Sequence, residues 1–140
     1  MSDKYFLDSN IVVYSLDRVD PVKHRRAREL VTSAATKKTG VISYQVVQEF
    51  LNVAIRKFGT TFLRPDLENF LRTVLIPMMA VPSSPRLFLD ALGLQGENQL
   101  SWYDSLIVAA AIEARCKILY SEDLQHGRKF GNLVIENPFL

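Results

Sequence analysis

An α/β domain with a central, largely parallel sheet of five strands is the architecture this sequence predicts, on three observations. Five short, mostly apolar runs at 5–7, 41–42, 78–81, 117–120 and 133–135 alternate with segments of helical period, as in βαβ units. Helix-start signals recur between them, with an N-cap residue and an early proline at Asp20-Pro21 and Ser84-Pro85. The most apolar stretch, 106–112, has no polar side chain, and a helix hydrophobic on every side belongs inside the protein.

At 140 residues the chain fits one domain, 1–140, able to bury a core without disulfides or metal staples. With 48% hydrophobic and 23% charged residues, it matches neither a disordered nor a fibrous chain. A net charge of +2 permits a polyanionic partner without demanding one. Cys116 is the single cysteine, which rules out an intrachain disulfide and a thiolate zinc cluster. No apolar run approaches the roughly 20 residues of a membrane span, and the N-terminus lacks a basic-then-apolar leader. A soluble, cytoplasmic protein is expected.

The elements follow in order. Tyr5-Phe6-Leu7 is a strand ending in Asp8-Ser9-Asn10, and residues 11–16 read as helix; Asp8 is equally readable as an ordinary N-cap. Asp20-Pro21 opens a helix in which Val22, Ala27, Leu30, Val31, Ala34 and Ala35 keep a helical period. Its basic cluster, Lys23 to Arg28, reads as a solvated face or a nucleic-acid contact. Lys37-Lys38-Thr39-Gly40 stops it. After the strand at 41–42, Ser43 caps a helix to about Phe58 whose apolar residues form one stripe, with Glu49 beside that stripe, where periodicity alone makes it a surface residue. Gly59 ends this helix and Arg64-Pro65-Asp66 starts another to about Leu75. Prolines bound the strand at 78–81. Ser84-Pro85 begins a helix of about two turns ending near Leu92-Gly93, and residues 96–99 form a polar loop.

Ser101 then caps the apolar helix, with Asp104 three residues on in the spacing of a capping box. The strand at 117–120 runs into Ser121-Glu122-Asp123. Residues 125–131 read as a polar loop in which His126, without a partner at metal-ligand spacing, is a loop residue. The strand at 133–135 closes the sheet. In parallel sheets ligands bind beyond the carboxyl ends of the strands, where Asp8, Asp123 and the helices carrying Glu49 and Asp104 all fall. Four converging acids repel unless a cation compensates. With no Cys/His ligand set, an oxygen-preferring ion, Mg2+ or Mn2+, is favoured over zinc.

At these residues the sequence resembles the PIN-domain ribonucleases, and in size and motif order is most similar to VapC-type toxins of toxin–antitoxin pairs. The likeness spans nearly the whole chain. It rests on Tyr5-Phe6-Leu7-Asp8-Ser9-Asn10, on the stretch from Ser43 to Glu49, on Ser101-Trp102-Tyr103-Asp104 with its apolar helix, and on Tyr120-Ser121-Glu122-Asp123. It implies a PIN-like three-layer α/β/α fold and metal-dependent hydrolysis of RNA phosphodiesters. Asp8, Asp104 and Asp123 take the family's metal-holding positions, and Glu49 its helical glutamate, ligand or positioner of the attacking water. Asn10 and Ser121 would orient these carboxylates, and Arg128 and Lys129 are candidates for substrate phosphates. An antitoxin partner and a homodimer are implied as well. Phe62-Leu63 and Phe139-Leu140 are candidate apolar contacts. Ser9 replaces a frequent threonine, Ser105 replaces a small apolar residue, and Glu122 adds an acid whose neighbour Asp123 is favoured by strand alternation.

Two other classes stay open. A non-catalytic PIN-like module binding RNA or protein would have no need of clustered carboxylates. A phosphotransfer domain using Asp8 as nucleophile fits a strand-terminal aspartate, but Asn10, rather than a second aspartate, follows two residues on.

Overall fold

A computed structural model describes residues 3–58 and 62–140. The proposed helix stop at Gly59 lies outside the described residues. Six strands form one sheet in the order β3-β2-β1-β4-β6-β5: β1 Tyr5–Leu7, β2 Gly40–Ser43, β3 Met79–Val81, β4 Ile118–Tyr120, β5 Lys129–Phe130 and β6 Leu133–Glu136. The first four and β6 run parallel, and β5 pairs antiparallel with β6. The predicted sheet of five strands therefore gains a two-residue edge strand from the stretch read as loop. Helices flank the sheet.

The local signals explain most helix starts. Asp8 caps α1, Ser9–Tyr14, by accepting from the Ser9 N–H. Asp20 caps α2, Pro21–Lys37, by accepting from Val22 and Lys23, and Lys38 ends it in the left-handed conformation at φ 58°. Helix α3, Tyr44–Lys57, buries Val46, Phe50 and Ala54. Helix α4, Arg64–Phe70, continues through a π-helical segment, Leu71–Leu75, into the short α5, Ile76–Met78. Helix α6 departs from expectation. It runs Pro85–Asn98, twice the expected length, and takes in Gly93, Gly96 and most of the supposed loop before Gln99 stops it at φ 55°. Both glycines face open space, where a Cβ would meet nothing within 4 Å. They lower helix propensity without obstructing the packing of Leu87 and Ala91.

Helix α7, Trp102–Glu113, is the apolar helix, buried from Ser105 to Ala111. Ile112, expected inside, is 43% exposed, because the helix leaves the core in its last turn. The core joins Phe6 and Leu7 of β1, Ile42, Phe50, Leu119 and Ile135. Phe62 and Phe139 pack against it, while Leu63 and Leu140 stay exposed. Among the described residues, no helix is long and apolar enough to cross a membrane.

Candidate active site

Strand order creates the crevice. The chain lays down β1, β2 and β3 outward in one direction, then returns to place β4 on the other flank of β1. The β1/β4 junction is thus the point where the order reverses, which is where open parallel sheets bind ligands. Leu7 pairs with Tyr120, so Asp8 and Ser121 emerge side by side. The Asp8 N–H donates to the Tyr120 carbonyl at 3.0 Å. The Ser121 hydroxyl donates to Asp8 Oδ2 at 2.7 Å, and the Ser9 N–H donates to Oδ1 at 2.7 Å.

Asn10 and Ser121 organise the next acid. Ser121 Oγ accepts from the N–H groups of Asp123 and Leu124 at 3.2 and 3.3 Å, winding the chain into a turn. Asn10 Nδ2 donates to Asp123 Oδ2 at 3.0 Å, while Asn10 Oδ1 accepts from the Glu122 N–H at 3.3 Å. Asp123 itself is exposed and Asp8 is buried. One carboxylate faces inward and the other faces solvent, across a shared serine.

Glu49 is tied to the start of the helix that carries Asp104 through a residue the sequence did not single out. Gln45, buried in the first turn of α3, donates through Nε2 to Glu49 Oε2 at 3.4 Å and to the Tyr103 carbonyl at 3.1 Å. It links the glutamate to the helix start carrying Asp104. Its one sequence signal is the four-residue spacing from Glu49, which places both on one helix face. Ser101 caps α7 by accepting from the Asp104 N–H at 3.1 Å. No bond returns from the Asp104 carboxylate, which is half-buried and without a hydrogen bond or ion pair among the described residues. The capping box is half made, and the acid is left available.

Burial pushes the Asp8 carboxyl up to about 7 from an ordinary 3.8. Its bonds from Ser121 and Ser9 pull the other way, and the charges of Glu49 and Asp123 add to the rise. Three of the four acids therefore share one field. Among the described residues no three His, Cys, Asp or Glu side chains close into a metal-holding cluster. The donor chemistry nevertheless suits a hard divalent cation: it is oxygen throughout, from the carboxylates and from two buried oxygens with no partner among the described residues, Ser43 Oγ at the end of β2 and Gln45 Oε1. Charge compensation at a raised, buried carboxyl is what such an ion supplies.

Other candidates are placed elsewhere. The Arg128 guanidinium donates to the Asn98 carbonyl at 2.9 Å and lies over the Phe130 ring, closing the end of α6. Lys129 pairs with Val134 in the edge strand and lines a cavity with Arg115 and Lys117, on the side where β4 begins. Neither is brought to the acids, because the residues after Gln125 turn back along the sheet. Glu122 points to α1 and α2, with Tyr14 and Lys23 as its partners. His126 accepts from the Asn137 N–H at 3.0 Å, a loop tie as expected.

Several solved structures share this fold. The chain matches a toxin–antitoxin complex from Klebsiella pneumoniae at TM-score 0.66 and 20% identity, over 96% of this chain and 98% of the other. It matches Mycobacterium tuberculosis VapC20, a sarcin-ricin loop cleaving toxin, at TM-score 0.64 and 17% identity, over 86% and 90%. VapBC2 from Rickettsia felis, bound to a DNA fragment from its promoter, gives 0.62 and 20%, over 94% and 96%. No curated protein sequence matches the chain. The PIN domain model matches residues 5–129, and the chain belongs to the PIN-domain family.

Proposed function

We propose that this chain is a metal-dependent endoribonuclease, the toxin of a toxin–antitoxin pair, working in the cytoplasm on RNA phosphodiesters. The observation that carries the reading is Asp8: a buried carboxyl at the sheet's reversal point, raised to about 7 and exposed to the charges of Glu49 and Asp123. A group so placed gains from a cation and loses without one. The toxins among the structural neighbours, one of them a sarcin-ricin loop cleaving toxin, support the same reading.

In this reading Asp8, Asp104 and Asp123 hold Mg2+ or Mn2+, with Glu49 beside them. When bound, the ion neutralises charge on phosphoryl oxygens and lowers the pKa of water. Glu49, held by Gln45, orients the attacking water and takes its proton. Asn10 and Ser121 fix the carboxylate directions. Grip on the RNA backbone is assigned to Arg18, Arg25, Arg28 and Lys37, which line one groove along α2 with Thr32 and Thr36 and pair with no acid among the described residues. An antitoxin protein and a second copy of the chain complete the assembly, read out by light scattering of the chain alone and with the antitoxin.

The deciding experiment is RNA cleavage by purified protein in Mg2+, Mn2+ or chelator, beside an identically purified Asp104→Asn preparation. Metal-dependent cutting that disappears in the variant supports the reading; cutting that survives in it assigns the activity to a contaminant. The second reading is a non-catalytic PIN-like module, with no three acids closing into a cluster among the described residues. RNA binding without metal binding or cutting would establish that one.

A further inference from the structure

Glu122 is the acid that the four-carboxylate site does not use. Three consecutive side chains after β4 go three ways: Ser121 to Asp8, Asp123 to Asn10, and Glu122 to the α1–α2 side. Both Glu122 oxygens are committed. Oε1 accepts from the Tyr14 hydroxyl at 2.7 Å, and Oε2 is ion-paired with the Lys23 ammonium. Lys23 is held in turn, over the Tyr14 ring at 5.1 Å and the Phe139 ring at 5.6 Å, and those rings meet edge to face. The backbone is gripped too, since the Glu122 N–H donates to Asn10.

We propose that Glu122 is a positioning residue: with Tyr14 and Lys23 it clamps the turn after β4 onto α1 and α2, and so sets where Asp123 presents its carboxylate. Asp123 is exposed, and among the described residues Asn10 is the one hydrogen-bond partner of its carboxylate. Its position therefore depends on the backbone of a turn that is neither helix nor strand. A clamp joining residues 108 and 99 positions apart supplies the stiffness that local structure there lacks. The Glu122 carboxylate is held on the α1–α2 side by Tyr14 and Lys23, while the Asp123 carboxylate is held by Asn10. Glu122 thus acts through Asp123 and not on substrate.

The geometry is independent of the nuclease reading; its catalytic consequence rests on that reading. The test compares the wild type with Glu122→Ala, Glu122→Gln and Tyr14→Phe by amide hydrogen exchange, melting temperature and, with RNA and Mn2+, kcat and KM. Glu122→Ala is expected to speed exchange at Asp123 and Leu124 by about tenfold and to lower kcat about ten- to hundredfold with KM nearly unchanged. Its melting temperature should stay close to wild type, since partly exposed ion pairs add little to stability. Tyr14→Phe should fall in between. Glu122→Gln, which still accepts from Tyr14, should recover part of both losses. Native exchange in Glu122→Ala overturns the clamp, as does faster exchange spread over the whole chain. Equal loss of activity in Ala and Gln variants with native exchange would make Glu122 a ligand or catalyst instead. If the wild type cuts no RNA, the nuclease reading falls, and exchange at Asp123 alone decides the clamp.

Discussion

Asp8 carries opposite demands. Its two oxygens accept two bonds, from Ser9 and Ser121, yet burial makes its charge costly. The native state holds a proton on it up to about pH 7, whereas the unfolded chain releases that proton near 3.8. Between these values the folded form binds more protons, so its stability falls as pH rises and levels off above about 7. Metal-free protein should accordingly melt at lower temperature at pH 7.5 than at pH 5, and Asp8→Asn should flatten that slope in a thermal scan. Asparagine replaces one acceptor by a donor and so loses one of the two bonds, costing about 1 kcal/mol at all pH values. Gln45 invites a second substitution. Gln45→Leu keeps the volume and removes the link between Glu49 and Tyr103. Cleavage kcat should drop by about tenfold or more, with RNA affinity unchanged in a binding titration.

Helix and strand meet tightly at Gly40. A Cβ there would lie 2.2 Å from Ala34 Cβ and 2.9 Å from the Tyr5 ring, so α2 rests directly on the start of β2. Gly40→Ala must push the helix off the sheet, an overpacking cost of about 1–3 kcal/mol, visible as a lower midpoint in urea unfolding. Gly93 and Gly96 contrast with it. They lie in α6 facing open space, so alanine at either should stabilise by about 0.5–1 kcal/mol through helix propensity. The same contrast explains why α6 is twice its expected length. Glycine and a polar run read as a stop, but the packing of α6 on α7 carries the helix through.

Over the whole molecule, the net charge of +2 hides a division of the basic residues. The helical turn of α2 sends Lys23 to Glu122 and Arg26 to the Pro138 carbonyl. Arg25 and Arg28 are left facing solvent with Arg18 and Lys37. A double Arg25→Glu, Arg28→Glu variant should bind single-stranded RNA more weakly. The slope of log affinity against log salt should shrink by about 1.4, at about 0.7 per phosphate contact. Metal acts in the other direction on the acids. If Mn2+ occupies the site, a concentration of 100 times its dissociation constant should stabilise the fold by about 2.7 kcal/mol. The gain should vanish in Asp8→Asn when measured by thermal shift with and without chelator.

The local grammar of this chain is legible in its residues because caps, helix periods and strand runs are interactions over a few positions. Asp20-Pro21, the Ser101 cap, the apolar strands and the burial of α7 up to Ala111 read correctly for that reason, and four local motifs, at 5–10, 43–49, 101–104 and 120–123, point to the PIN family. Glu49 did not stand out by period, since a helix face shows nothing of what packs across from it. The destination of Arg128 and the roles of Gln45 and Glu122 depend on partners tens of residues away, the length of α6 depends on its packing against α7, and β5 with Lys129 depends on its short pairing with β6. Strand order matters most. Only the packed sheet puts β4 against β1 and so brings Ser121 to Asp8 across 113 positions; pairing over that separation is selected by burial of the whole core, and no single stretch of sequence encodes it.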